Sequence, residues 1–176
     1  MATEFETRFL DIDKDNIISK LKKLGAKLEF SNLFRRYVFH IDSNSQSWIR
    51  LRDEGHRVTL TYKLRTNDSI TGTEEHETIV DNFETTATIL KKIPFKDIFY
   101  QENKRTQYRF NDIEFCIDEW PKIPPHLEIE SSSEEKVNEG IKLLKLENKP
   151  HSNNSIVDVY KHHGIDLHNE YKLKFK

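Results

Sequence analysis

Charged residues in this chain recur two positions apart, the spacing that sets side chains on one face of an extended strand. Glu4, Glu6 and Arg8 are so spaced in "TEFETRF", as are Trp48, Arg50 and Arg52 in "SWIRLRDEG". Arg57, Thr59, Thr61 and Lys63 follow the same rule, then Glu75 and Glu77, and then Arg105, Gln107 and Arg109. Glu114, Cys116 and Asp118 continue it, and Glu128 and Glu130 close the series. The intervening positions are largely apolar, among them Phe5, Ile49, Leu51, Leu60, Tyr108, Phe115, Ile117, Leu127 and Ile129. A face that is merely wet would be rich in Ser, Thr, Asn, Gln and Lys; this one is mostly Arg and Glu. Guanidinium groups offer planar, bidentate donors that match phosphate oxygens, and paired carboxylates supply hard oxygen ligands for Mg²⁺ or Mn²⁺. A triphosphate together with its metal satisfies both sets. Neither a neutral metabolite nor a bare ion would account for the bases and the acids at once.

The elements that must hold these groups are mostly strands. "KDNIISKLKKLGAKL" places Ile17, Ile18, Leu21 and Leu24 at helical spacing and stops at Gly25, so it reads as an amphipathic helix. "RRYVFHID", "SWIRLRDEG" and "RVTLTYKLRT" alternate with period two and are separated by turn chemistry, which predicts an antiparallel meander. "TEEHETIV" adds a strand, "NFETTATILKKIPF" a second helix, and "NKRTQYRFNDIEFCIDEW" a hairpin turning at Asn111 and Asp112. "PHLEIES" is a short strand, "SEEKVNEGIKLLKLE" a third helix opened by a Ser/Glu cap, and "NNSIVDVYKHHGID" a short helix stopped at Gly164. The rings Phe34, Tyr37, Phe39, Phe83, Phe95, Phe99 and Tyr100 are expected in an outer core under the helices, and the terminal "YKLKFK" as a frayed end. The expected architecture is α+β: a closed antiparallel β-barrel of about eight strands. Its lumen would be a charged tunnel with the helices outside, in a single domain spanning residues 1–176.

Composition bounds the partners. With 28 Lys+Arg against 30 Asp+Glu, charge nearly cancels, so no whole-protein field points to nucleic acid or an anionic membrane. No stretch approaches the roughly 18 consecutive apolar residues of a membrane span. The lone Cys116 excludes an internal disulfide and fits a reducing, cytoplasmic setting. It has no His beside it to make it a nucleophile. His151, His162, His163 and His168 fall at no metal-ligand spacing and read as surface residues.

The ordered set of motifs resembles the CYTH family, the triphosphate tunnel metalloenzymes, which include class IV adenylyl cyclases, thiamine triphosphatases and inorganic triphosphatases. Glu4, Glu6 and Arg8 resemble the N-terminal Glu-x-Glu-x-Lys signature, and the likeness continues through "LGAKL", "WIRLRDEG", "VTLTYK", "KRTQYRFNDIEFCIDEW" and "LEIE". The resemblance implies that Glu4, Glu6, Glu128 and Glu130 hold metal, two ions of Mg²⁺ or Mn²⁺. It implies that Arg8, Arg50, Arg52, Lys63 and Arg105 grip the triphosphate. Glu75, Glu77 and Asp118 match further acidic lumen positions and are taken as catalytic, and Lys161 as a residue that closes over the substrate. Arg8 replaces the usual Lys, keeping charge but changing donor geometry, and Asn103 stands where members carry a second base. The implied substrate is a nucleoside triphosphate or another triphosphate. ATP converted to cyclic AMP and pyrophosphate is the leading expectation; hydrolysis of a terminal phosphate, or non-catalytic binding of a nucleotide or polyphosphate, is the alternative. A homodimer is compatible with this reading.

Overall fold

The computed structural model describes residues 5–41, 46–65, 73–153 and 155–176, so Glu4 lies outside the described residues. The strands are β1 (Phe5–Phe9), β2 (Lys27–His40), β3 (Ser47–Asp53), β4 (Val58–Arg65), β5 (Thr73–Ile79), β6 (Asp97–Phe110), β7 (Ile113–Glu119), β8 (His126–Ser131) and β9 (Lys172–Leu173). The α-helices are α1 (Lys14–Leu24), α2 (Phe83–Leu90), α3 (Glu134–Leu143) and α4 (Ile156–His162). All three long predicted helices and the short terminal one are present.

Hydrogen-bonded neighbours run in the order β1-β8-β7-β6-β2-β3-β4-β5, and β9 pairs with β6 in parallel. The pairs β1–β8, β8–β7, β7–β6, β2–β3, β3–β4 and β4–β5 are antiparallel. The α+β class is as expected, but among the described residues the sheet is not closed by hydrogen bonds: β1 and β5 end the path. The second edge of β1 is instead occupied by Ser152, through Arg8 N→Ser152 O (2.8 Å) and Ser152 N→Arg8 O (3.0 Å). Two expectations are corrected. "YKLKFK" is not frayed, because Leu173 is buried and paired to Gln101. Of the seven rings expected under the helices, Tyr37, Phe39, Phe83 and Phe95 join the apolar cluster beneath α2 and the other three do not: Phe34 and Phe99 are buried, against the Arg52 guanidinium and the His40 ring, and Tyr100 donates to Glu102.

The chain divides into two compact units. The first, Met1–Asn32 with Lys104–Leu167, packs Ile17 and Leu21 of α1 and Val137 and Ile141 of α3 on Phe115, Ile117, Leu127 and Ile129. α1 begins at Asp13, whose carboxylate accepts from Asn16 N, and ends at Gly25 with φ of 81°, a left-handed turn that glycine adopts without penalty. α3 sits close on the sheet at Gly140, where a Cβ would come within 2.8 Å of Ile129 Cγ2. In the second unit, Leu33–Asn103 with His168–Lys176, Phe83, Ala87 and Leu90 of α2 cover Phe39 and Leu51.

Candidate functional site

The charged faces expected from the period-two pattern form, one in each unit. In the first, register across β1, β8, β7 and β6 sets side chains in rows. Glu6 pairs with Glu130 and Glu130 with Glu114; Arg8 pairs with Glu128 and Glu128 with Cys116; His126 pairs with Asp118 and Asp118 with Arg105. Arg8 Nε donates to Glu128 Oε1 at 3.0 Å and Arg8 Nη2 contacts the same oxygen. Arg105 grips Asp118 with two donors, at 2.9 and 2.5 Å, and reaches Glu128 Oε2 at 2.5 Å. Glu128 is thus held between two guanidiniums. Burial works to raise its pKa, yet Arg105 and Arg8 overcome that and keep the carboxyl ionised far below the usual range. Burial also opposes charge on Arg105, but Asp118 and Glu128 hold its pKa well above the ordinary value. Cys116 is buried and its thiol is pushed well up, mainly by burial, so it is no nucleophile.

His126, which the sequence reading passed over, stands in this cluster. It is 1 % exposed, its Nε2 lies 3.9 Å from both Asp118 Oδ2 and Glu128 Oε1, and its Nδ1 is buried without a hydrogen-bond partner. Among the described residues, Asp118, His126 and Glu128 form the group whose ligand atoms lie within 4.8 Å of one another and could hold a metal ion. Burial pushes the imidazole pKa down, with Asp118 and Glu128 opposing, which favours the neutral form that ligates metals. The only sequence signal for it is parity with Glu128 and Glu130.

In the second unit, Arg50, Thr61 and Glu77 form one row across β3, β4 and β5, and Trp48, Lys63 and Glu75 the next. Lys63 Nζ contacts Glu75 at 2.5 Å, whereas Arg50 reaches Thr61 and Glu77 only at 3.4 and 3.5 Å. Glu77 accepts instead from Thr61 at 2.7 Å, and Arg50 Nε is buried with no hydrogen-bond partner. Burial and the neighbouring Arg52 draw the Arg50 pKa down to about 10. Burial and Arg50 likewise lower that of Lys63. Arg52 contacts Glu54, a buried acid shared with Arg57. A further cation was missed: Arg36 lies directly opposite Arg52 in register, and its guanidinium donates to Asn103 Oδ1. The position that lacks a base therefore receives one from β2.

The structure thus gathers Glu6, Arg8, Arg105, Asp118, Glu128 and Glu130 in one unit, and Arg50, Arg52, Lys63, Glu75 and Glu77 in the other. Lys161 is exposed on α4. His162 and His163 contact each other edge to face, and His163 lies 3.2 Å from Asp11. No helix among the described residues is long and apolar enough to cross a membrane.

A Methanocaldococcus jannaschii protein named "putative adenylate cyclase" is 32% identical over 147 residues, covering 81% of this chain and 83% of that one. Among solved structures, one from Vibrio parahaemolyticus with the same kind of name superposes with a TM-score of 0.72 at 11% identity, over 90% of this chain and 98% of that chain. Another, from Hippeastrum, is described as a "putative adenylyl cyclase" with a dominant triphosphatase activity; it gives a TM-score of 0.57 at 18% identity, over 91% and 95% of the two chains. The CYTH domain model matches residues 2–157, nearly the whole length, and the chain belongs to the CYTH family.

Proposed function

We propose that this CYTH protein is a metal-dependent enzyme acting on a nucleoside triphosphate, of the class IV adenylate cyclase type. The observation that carries the reading is Arg50, a guanidinium packed beside Arg52 with a buried unpaired Nε and a pKa drawn down to about 10. Like charges held together at a cost are expected where an anion is to be received. Arg52, Lys63 and Arg36 extend that cationic face, and Trp48, directly opposite Lys63, offers a ring on which a base can stack.

The acids of the first unit fit a hard divalent ion by donor chemistry. Glu6 opposes Glu130 and Glu130 opposes Glu114, which brings carboxylates, hard oxygen donors, together across three strands. Asp118 and Glu128 are paired with Arg105 and Arg8. Triphosphate oxygens would accept from these guanidiniums in place of the carboxylates, freeing Glu128 and Asp118, with His126, to join Glu6 and Glu130 as ligands. When bound, the metal supplies Lewis-acid stabilisation of charge on the phosphates. The protein's own contribution is then to position the chain and stabilise the leaving pyrophosphate through Arg8, Arg50, Arg52, Lys63 and Arg105. Arg8 stays protonated near neutrality and cannot accept a proton, so proton removal from an attacking hydroxyl falls to a carboxylate, for which Glu75 and Glu77 are the candidates.

Triphosphate hydrolysis is the second reading, favoured by Arg8 in place of the signature Lys. ATP, tripolyphosphate and thiamine triphosphate, each incubated with Mg²⁺ or Mn²⁺ and resolved by chromatography, separate the readings. Cyclic AMP with pyrophosphate establishes the cyclase, and free phosphate alone the triphosphatase. Turnover of neither kind overturns the enzyme reading. Trp48→Leu should raise KM for ATP several-fold and leave tripolyphosphate unaffected; equal effects on both would remove Trp48 from base recognition.

A further inference from the structure

The second unit carries a cavity of about 460 Å³ lined by Arg35, Tyr37, Phe83, Tyr100, Lys172 and Lys174, with Ile98, Glu84 and Glu102 also on its wall. None of these residues belongs to the charged rows described above. On β2, Arg35 and Tyr37 alternate with Arg36 and so occupy the opposite side of the strand. The volume falls within the range of small-molecule sites.

The lining is divided by chemistry. Tyr37 is the centre of an aromatic floor, with Phe83 stacked at 5.6 Å and 22° and Tyr100 tilted at 5.1 Å. The acids on the wall are already engaged. Glu102 accepts from the Tyr100 hydroxyl at 2.7 Å and from Phe175 N at 3.1 Å, and Glu84 faces Arg35 at 3.1 Å. Arg35 is also tied to Asp53 at 2.6 Å and lies over the Phe83 ring. What remains uncommitted on the rim is positive: Lys172 and Lys174, one on β9 and one just after it, are exposed. The pairing of Tyr100 with Lys172 and the Glu102–Phe175 contact hold this terminal strand against β6, so the backbone that carries the two lysines is fixed beside the rings. An aromatic floor with cations at its rim suits a ligand that is planar at one end and anionic at the other.

We propose that this cavity is a second ligand site, for a planar aromatic phosphate of mononucleotide size, separate from the charged rows. It would act as a site of occupancy and not of chemistry, because its acids are committed to internal partners.

The test uses the full chain in EDTA with AMP as the probe, followed by titration calorimetry, with adenosine and inorganic phosphate as separate arms. Saturable binding of AMP at one site is expected, unaffected by excess tripolyphosphate. The paired substitution Lys172→Glu with Lys174→Glu should weaken AMP at least tenfold with an unchanged melting temperature. Tyr37→Leu should weaken AMP and adenosine alike; should that variant fail to fold, the lysine pair still decides. Absence of saturable AMP binding overturns the proposal. So does displacement of AMP by tripolyphosphate, or AMP affinity that survives the lysine substitutions but is lost in Arg50→Met. Binding of inorganic phosphate as tight as that of AMP would also overturn it, by leaving the rings without a role.

Discussion

Replacing Arg50 by methionine should make the ligand-free protein more stable while weakening its hold on a triphosphate. The guanidinium is charged at neutral pH in the folded and unfolded chain alike, but burial and Arg52 draw its folded pKa down from the ordinary arginine value to about 10. At about 1.4 kcal/mol per pH unit, that fall bounds the cost of holding the charge at roughly 3 kcal/mol. The cost is fully present at neutral pH and disappears only as pH rises beyond 10. Little is lost in exchange, since the contacts to Thr61 and Glu77 are long, at 3.4 and 3.5 Å, and methionine preserves the apolar stem. A net gain of about 1–2 kcal/mol is expected, a rise of roughly 2–4 °C in Tm for each. Tripolyphosphate affinity should fall about tenfold or more, the worth of one charge-assisted hydrogen bond. Thermal melts and calorimetry on wild type and Arg50→Met read both quantities. A variant that is less stable and binds tripolyphosphate as well as before would refute the assignment of Arg50 as an anion receiver.

Glu6→Gln with Glu130→Gln should abolish or weaken Mn²⁺ binding at least tenfold, read by the loss of free-ion EPR signal on titration, and should leave the far-UV circular dichroism of the folded protein unchanged. Glu128→Gln breaks a buried pair and leaves Arg8 and Arg105 short of an acceptor, so a loss of about 3–5 kcal/mol in a urea melt is expected. The same carboxyl has its folded pKa depressed below its unfolded value. Its stabilisation is therefore complete above about pH 4.5 and declines as pH falls below that toward the folded value; the decline should be absent in Glu128→Gln. Gly140→Ala forces a methyl group to 2.8 Å from Ile129 Cγ2 and 3.1 Å from Ile113 Cγ2. It should cost about 1–3 kcal/mol by overpacking, seen as a lowered Tm.

Strands and helices were legible because alternation and helical spacing are local properties, and caps such as Asp13 and Gly25 mark their ends. The charged faces followed from parity alone. What escaped depended on register between distant strands. Arg35 and Arg36 are adjacent in sequence, and only the pairing of Arg36 with Arg52 reveals which one joins the charged row. His126 gains its setting from lying opposite Asp118 and two residues before Glu128. Phe34 and Phe99 are buried as their type suggests, but nothing local shows that Arg52 will lie over the first and His40 and Tyr171 against the second. The ladder's open ends were hidden too, since no local pattern says that Ser152 will take the second edge of β1.

That clip on β1 has a consequence for synthesis. Thr7 meets His151 across 144 positions, and Arg8 meets Glu128 across 120. On a chain leaving the ribosome Glu6 and Arg8 precede β8, so neither can reach its strand partner until β8 has emerged, and the edge of β1 stays open until Ser152 follows. Closing loops of that length comes late in folding. β1 is thus made well before the strand and the residue that hold it, and Glu6 and Arg8 are installed only after β8 and Ser152 have been synthesised.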